Sequence, residues 1–571
     1  MYSNKNNLTQ LTSLLTQHEV EFAVVCPGSR NAPIVHNLHE IGIECIPVTD
    51  ERSAGFYALG MSLKIGLKPV VVCVTSGTAI LNLMPAVAEA YYQQVPLIII
   101  SADRPADKRD QLDGQTLHQP NALEPYVLKS INIPEAYTQE QFLHNNRLIN
   151  EALNARYIAE DGPVHINVPL TEPLYEFTIE ELYRERAISL WKPYICYDIA
   201  EELLKHIFER YHKPMIVLGQ NNFSTGELTE LSKRFVIINE ALSGVQVISN
   251  ADEVIASSKD IEALRPDCVI YAGGTIVSKR LKQFLRETSC TNIVINAKGA
   301  ATDTFEHLWH IIQTTPENMI YSMEALLENE DKGAYLSKLW NTLFESKGNK
   351  EKNFVNLWNK ASEKCKRRTI EYAPDFSQMF AVSKFEEKLG NTRPDTSVFY
   401  ANSSAIRIGN IYAPLYNRHV FCNRGVNGIE GSLSTAAGAS ILLNDLTYCV
   451  IGDLSFFYDQ NALWNQNLKG NLRILLLNNG GGGIFEKFEG LKGSPVRETC
   501  VMATHNTSAE GICKQCNVTY LSAKNEEEYL NALEKLTAPK SDRPVVLEVF
   551  TDSKNDMEVV NNYYKHQKDN K

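Results

Sequence analysis

No apolar run in this 571-residue sequence approaches the roughly 18 to 20 residues needed to cross a bilayer, which excludes an ordinary membrane-spanning helix. The polar opening Met1-Tyr2-Ser3-Asn4-Lys5-Asn6 lacks the hydrophobic stretch of a signal peptide, so a cytoplasmic protein is expected. Basic residues are in deficit. Lys and Arg number 56 against 68 Asp and Glu, for a net charge of −12, and the basic stripe that marks nucleic-acid binding is missing. A second Cys-x-x-Cys pair is missing too: Cys513 and Cys516 stand alone, without zinc spacing or a thioredoxin-like context. The twelve cysteines lie scattered through apolar segments, as at Cys26, Cys73 and Cys449, which is the pattern of reduced core thiols and not of a disulfide framework.

What is present is globular in composition, 44% hydrophobic and 22% charged, and long enough for about three domains. From residue 8 to about 173, strand-like runs at 22–26, 70–74, 97–100 and 164–168 alternate with loops and helices, which predicts a parallel sheet. Residues 171–197 read as a linker. A second α/β unit starts at the strand-like run 214–219 and includes 268–274, whose Gly273-Gly274 turn is a weak nucleotide signal. The stretch 328–372 is charged and reads as a solvated connecting helix. A third unit has strands at 398–401, 420–422, 448–451, 474–477 and 545–549. The expected domains are therefore 1–173, 198–330 and 374–571, each an α/β doubly wound parallel-sheet unit.

Two loops in the third unit carry chemistry. Gly452-Asp453-Leu454-Ser455 closes one apolar run, and Asn478-Asn479-Gly480-Gly481 closes the next. Open α/β sheets bind ligands at the carboxyl ends of their strands, so Asp453 and Asn479 are expected side by side. A carboxylate, an amide oxygen and a loop carbonyl suit Mg²⁺, which takes hard oxygen ligands and shares them with a bound phosphate. Two plain βα turns would also use Gly, Asp and Asn. In the first unit, Pro27-Gly28-Ser29-Arg30-Asn31-Ala32-Pro33, Asp50-Glu51-Arg52-Ser53-Ala54-Gly55 and Thr75-Ser76-Gly77-Thr78-Ala79 each follow a strand-like run. Taken alone, Glu51 reads first as an acid at a helix N-terminus, stabilised by the macrodipole.

The Gly-Asp to Asn-Asn spacing resembles the thiamine diphosphate signature. Together with Glu51, SADRP at 101–105, NSSAIR at 402–407, NRGVNGIEGSLSTAAG at 423–438 and NNGGGGIF at 478–485, it resembles the 2-succinyl-5-enolpyruvyl-6-hydroxy-3-cyclohexene-1-carboxylate synthase family of menaquinone biosynthesis. The resemblance spans both outer units and rests in the middle on Lys279-Arg280. It implies a pyrimidine-binding first domain, a central domain without its own cofactor and a diphosphate-binding third domain. It also implies a transferase that decarboxylates 2-oxoglutarate and adds the succinyl-semialdehyde equivalent to isochorismate. The implied cofactors are thiamine diphosphate with Mg²⁺ or Mn²⁺, and the implied assembly is at least a homodimer, with a homotetramer left open.

Residue by residue, the resemblance places Glu51 at N1′ of the aminopyrimidine and Ser76 and Thr78 beside the cofactor. Asp453, Asn479 and the Gly481 carbonyl fall on the metal, and Ser403, Gly452, Leu454 and Ser455 near the diphosphate. Ile429 becomes the wedge that bends the cofactor, with Ile484, Phe485 and Phe488 an apolar wall. Ser29, Arg30, Arg104, Gln115, Lys279, Arg280, Arg407 and Arg424 fall on the substrates. Six cations there would attract dianions to an acidic protein, arginine pairing with carboxylates in bidentate fashion. Gly480 and Gly483 depart from the family, which has Asn or Asp and Gln or Gly there. Another thiamine diphosphate enzyme remains open, although the adjacent His-His pair of pyruvate decarboxylases is absent, as does a non-catalytic binding protein of the same fold.

Overall fold

The computed structural model describes residues 1–571 except 19, 159, 191–195, 222, 224–227, 348–349, 393–395, 419, 443–444 and 569–571. Strands that are apolar at every position belong in the middle of a parallel sheet, where helices cover both faces. Val70–Val74 and Leu97–Asp103 are buried at every residue. They are central in a six-stranded sheet of order Glu44–Pro47, Phe22–Val25, Val70–Val74, Leu97–Asp103, Val164–Pro169, Lys129–Asn132, parallel throughout. A second six-stranded parallel sheet runs Val420–Phe421, Ser397–Tyr400, Thr447–Gly452, Leu472–Asn478, Val545–Phe550, Thr519–Ala523. Counted along the chain within each sheet, both follow the order 2-1-3-4-6-5. The outer units are one topology used twice.

Between them lies a five-stranded parallel sheet of order 2-1-3-4-5, with strands Pro214–Leu218, Val236–Ile238, Cys268–Ala272, Thr291–Ile295 and Leu308–Ile312 in chain order. Its Gly273-Gly274 turn is closed by its own chain. A Cβ on Gly219 would lie 2.0 Å from the Gly274 oxygen, and Gly274 N–H donates to the Gln220 carbonyl at 2.8 Å.

Two readings of the sequence change here. The expected linker is largely a strap on the first unit: Phe177–Ile179 pairs antiparallel with Tyr2–Ser3, and the Glu185 and Ile188 N–H groups donate to Ser13 Oγ and Asn150 Oδ1 at 3.0 and 2.7 Å. Its residues 191–195 lie outside the described residues. The expected solvated helix is two helices, Glu330–Lys347 and Lys350–Glu371, that bury Trp340, Phe354, Trp358 and Cys365 against the central unit. Trp358 Nε1 donates to the Leu264 carbonyl at 3.1 Å. The charges that suggested solvation, Lys364, Lys366 and Arg367, form the exposed face.

The outer units meet through two helices that are buried all round, Glu51–Lys64 and Ser432–Leu442. Small residues let their backbones touch. A Cβ on Gly60 would sit 1.8 Å from the Thr435 oxygen, and one on Gly438 would sit 2.1 Å from the Tyr57 oxygen. Tyr57 then reaches past this contact to donate to the Ala462 carbonyl at 2.6 Å. Among the described residues no helix is long and apolar enough to cross a membrane. All twelve cysteines are free, and Cys513 is buried as a core residue.

Candidate active site

Parallel order puts the carboxyl ends of all the strands in a sheet on one edge, and the predicted residues gather there in both outer units. In the first unit Ser29 and Arg30 follow Phe22–Val25, Glu51 follows Glu44–Pro47, Ser76 and Thr78 follow Val70–Val74, and Arg104 follows Leu97–Asp103. Glu51 opens the helix Glu51–Lys64, capped by the Asp50 side chain through the Ser53 N–H. Its carboxylate accepts from Asn82 Nδ2 at 3.0 Å. Gln115 lies over the Ser76–Thr78 turn, its Cα 3.2 Å from where a Gly77 Cβ would be. Both residues have positive φ, +57° at Gln115 and +89° at Gly77. Arg30 is buried and engaged by the Leu170 carbonyl and the Glu172 carboxylate, each at 2.9 Å. Arg104 Nε donates to the Gly114 carbonyl at 3.0 Å.

In the third unit Gly452 pairs with Leu477 across adjacent strands, which brings Asp453 to the Asn479–Gly481 loop. The Asp453 Oδ2 accepts from the Gly481 N–H at 2.9 Å and the Asn479 N–H at 3.2 Å, while Oδ1 accepts from the Leu454 N–H at 2.7 Å. Burial raises the Asp453 pKa, and these donors together with His505 oppose it. Asn479 Nδ2 donates to Asp556 at 3.0 Å, which leaves the amide oxygen to serve as an acceptor or ligand. Gly480 and Gly481 have φ of +78° and +150°, and a Cβ on Gly452 would meet no atom of the chain within 4 Å. A buried carboxylate, an oriented amide oxygen and a glycine backbone open to approach fit an oxygen-ligated ion that bridges to a diphosphate. Ser403, at the start of the helix Ser404–Tyr412, has φ +75° and ψ −128°, strain of the kind concentrated at binding sites. Ser455 is buried beneath the loop.

A cavity of about 340 Å³ opens beside this loop, between the central and third units. Lys279, Arg280, Arg407, Asn479 and Ile484 line it; the residues predicted in the first unit do not. Arg280 is already paired with Asp252 and lies 4.5 Å from the Tyr564 ring centroid. Burial and the neighbouring Arg424 lower the pKa of Arg407, which has no acid paired with it among the described residues. Arg424 donates to Asn402 Oδ1 at 3.1 Å, and its buried Nε has no partner among the described residues. Ile429 is 39% exposed on the same loop. Phe485 packs against Gly482 and lies 6.3 Å from the Phe488 ring.

Several residues of the site carried no sequence signal. Glu89, buried in the first unit, accepts from the Gly425 and Val426 N–H groups at 2.7 and 2.8 Å, which fixes the loop bearing Arg424 and Ile429. Asn402 ties the same loop through the Asn423 and Gly428 carbonyls at 2.6 and 2.7 Å. His505 Nε2 lies 3.5 Å from Asp453 Oδ2, and Asp556 orients Asn479. Asn402, which opens the NSSAIR motif, and Glu89, inside the stretch VTSGTAILNLMPAVAEA at 74–90 that also resembles the family, lay within patterns that could have flagged them.

Residues 6–124 match the family model described as thiamine pyrophosphate enzyme, N-terminal TPP binding domain. The fold is that of benzoylformate decarboxylase from Polynucleobacter necessarius, with a TM-score of 0.69 at 15% identity over 97% of this chain and 99% of that one. The fold and site thus define a thiamine diphosphate enzyme. Relatives named 2-succinyl-5-enolpyruvyl-6-hydroxy-3-cyclohexene-1-carboxylate synthase are 40% identical in Bacteroides thetaiotaomicron, over 99% of both chains, and 40% identical in Phocaeicola vulgatus, again over 99% of both. That of Christiangramia forsetii is 33% identical over 99% of this chain and all of its own. The chain belongs to the 2-succinyl-5-enolpyruvyl-6-hydroxy-3-cyclohexene-1-carboxylate synthase family.

Proposed function

We propose that the protein decarboxylates 2-oxoglutarate and joins the remaining four-carbon unit to isochorismate, giving 2-succinyl-5-enolpyruvyl-6-hydroxy-3-cyclohexene-1-carboxylate and CO₂ in menaquinone biosynthesis. The observation that carries this reading is the placement of Arg407 and Lys279, cations with no paired acid among the described residues, around a cavity that also touches Asn479. A site for dicarboxylic acids therefore adjoins a site suited to a metal diphosphate. Thiamine diphosphate, when bound, supplies the nucleophilic carbon and the electron sink for decarboxylation.

The chain's residues do the rest. The Glu51 carboxyl holds the proton at N1′ that promotes imino tautomerisation. Asp453, the Asn479 amide oxygen and the Gly481 carbonyl hold Mg²⁺ or Mn²⁺ against the diphosphate, with Ser403, Gly452, Leu454 and Ser455 around it. Ser76 and Thr78 would line the pyrimidine side, and Ile429 would pack against the cofactor. Arg407, Arg424, Arg104, Lys279 and Gln115 receive the substrates' carboxylates and hydroxyls. Domains 1–173 and 374–571 take the pyrimidine and diphosphate roles, with 198–330 as a spacer.

The working unit in this reading is a cytoplasmic homodimer. Its support is the surface near Glu51, where Leu81 beside Asn82 is 45% exposed and Tyr458, whose carbonyl Arg52 meets at 2.8 Å, is 51% exposed, apolar side chains of the kind partners bury. Twelve free cysteines suit a reducing compartment. Incubation with 2-oxoglutarate, isochorismate, thiamine diphosphate and Mg²⁺, with mass analysis, should yield the adduct and one CO₂ per turnover. Recovery of unchanged isochorismate, with or without CO₂ release, would reject the assignment.

A further inference from the structure

The cavity beside Asn479 is two-sided. The C-terminal helix Ser553–Lys568 presents Met557, Val560 and Tyr564 to it, whereas Lys279, Arg407 and one further cation, Lys487, occupy the other wall. Lys487 ends the turn Gly483–Lys487 that follows the metal-type loop, 5.4 Å from the Phe488 ring centroid. Among the described residues its ammonium has no ion pair. Partial desolvation at the cavity wall lowers its pKa, and the charges acting on it are Arg407 and Lys279, both cations.

The acids nearby are spoken for. Asp252 is held by Arg280, Ser278 and Tyr564, and Glu253 by the Tyr563 hydroxyl. Asp556 accepts from Gln378, Thr551 and Asn479, and Glu486 pairs with Arg497. Like charges gathered around a cavity repel one another until an anion enters, and a carboxylate answers that need with charge-assisted hydrogen bonds.

Resting on the functional reading above, we propose that Lys487 is a substrate-binding residue. It pairs with a carboxylate of a dicarboxylic acid whose other end faces Arg407 and whose carbon skeleton lies along Met557 and Val560. Either substrate could supply that carboxylate, so the test separates them.

Glutarate, a dicarboxylate without the 2-oxo group, cannot be decarboxylated, and its binding is independent of turnover. Calorimetry on the protein with thiamine diphosphate and Mg²⁺ should show glutarate bound about tenfold or more weakly by Lys487→Met than by wild type. Lys487→Arg should retain most of the affinity, and butyrate binding should change little. In steady-state assays of Lys487→Met, the substrate whose KM rises identifies the source of the carboxylate. Lys487 is exposed, so melting temperatures should match and exclude misfolding. Unchanged glutarate affinity together with unchanged KM for both substrates overturns the proposal. Should the wild type make no adduct while its glutarate affinity still depends on Lys487, the functional reading falls and the carboxylate site stands.

Discussion

Asp453 is a buried carboxylate surrounded by backbone N–H donors from its own turn and from the loop across the strand pair. Removal of that carboxylate leaves the loop intact in sequence but without its anionic ligand. Asp453→Ala should therefore lose metal-dependent thiamine diphosphate binding in calorimetry with excess Mg²⁺, and affinity equal to wild type would withdraw the metal assignment. Asp556→Ala should act more mildly on the same measurement, since outer-shell partners of a ligand typically contribute about 10–100-fold in metal affinity. Glu51 sits at the other end of the proposed cofactor and has a different task. Glu51→Gln should bind the cofactor yet exchange its C2 proton far more slowly, because an amide cannot supply the acid for tautomerisation. Deuterium exchange followed by NMR gives the answer, and a wild-type rate would remove Glu51 from the chemistry.

At the scale of elements, the helix pair Glu51–Lys64 and Ser432–Leu442 is held by backbone contact. Gly438→Val would drive a side chain into the Tyr57 backbone, an overpacking that costs about 1–3 kcal/mol or more. A clear fall in Tm is expected, and an unchanged Tm would show that the contact is loose. Asp459, just beyond this interface, accepts from the Ser434 N–H and Oγ, both at 2.7 Å, and burial raises its pKa to about 7. A raised carboxyl stabilises the fold fully below its unfolded pKa of about 3.9, and that contribution is lost as pH rises through about 7. Asp459→Asn stays neutral, so its Tm should fall less than that of wild type between about pH 5 and pH 8. An equal fall would place the titration elsewhere.

The elements that were legible in the sequence share a physical trait. Central strands such as Val70–Val74 and the stretch Ile474–Leu477 of Leu472–Asn478 are buried on both faces and read as unbroken apolar runs. The strands Glu44–Pro47, Lys129–Asn132 and Thr519–Ala523 were not legible. Each lies at a sheet edge, is partly exposed and mixes polar with apolar residues. The candidate site divides in the same way. Asp453 and Asn479 stand out by the spacing of their strand-end loops, whereas Glu51, which alone reads as a helix N-terminal acid, is legible only through the family resemblance. Asp556 and Lys487 act from a helix and a turn without a motif, and Glu89, though inside a family stretch, has no role readable there; only the tertiary fold shows what they touch. The engagement of Arg30 by Glu172, and of Arg280 by Asp252, was equally invisible, because each pair is long-range in sequence.

At the scale of the whole molecule, the account holds that one reaction site needs the strand ends of two sheets from two chains. Glu51 is half-buried at the start of its helix, whereas Asp453 is buried against its own loop. Cofactor bridging between a pyrimidine domain and a partner's diphosphate domain would place Glu51 and Asp453 of a given site on different subunits. The most direct measurement mixes inactive Glu51→Gln protein with inactive Asp453→Ala protein under conditions that exchange subunits. Under random exchange of equal amounts, half of the dimers are mixed and each retains one wholly intact site, so activity should return to about a quarter of wild type under two-fold symmetry. If native mass spectrometry confirms the mixed dimers and the mixture stays inactive, the two residues serve one chain and the account is contradicted.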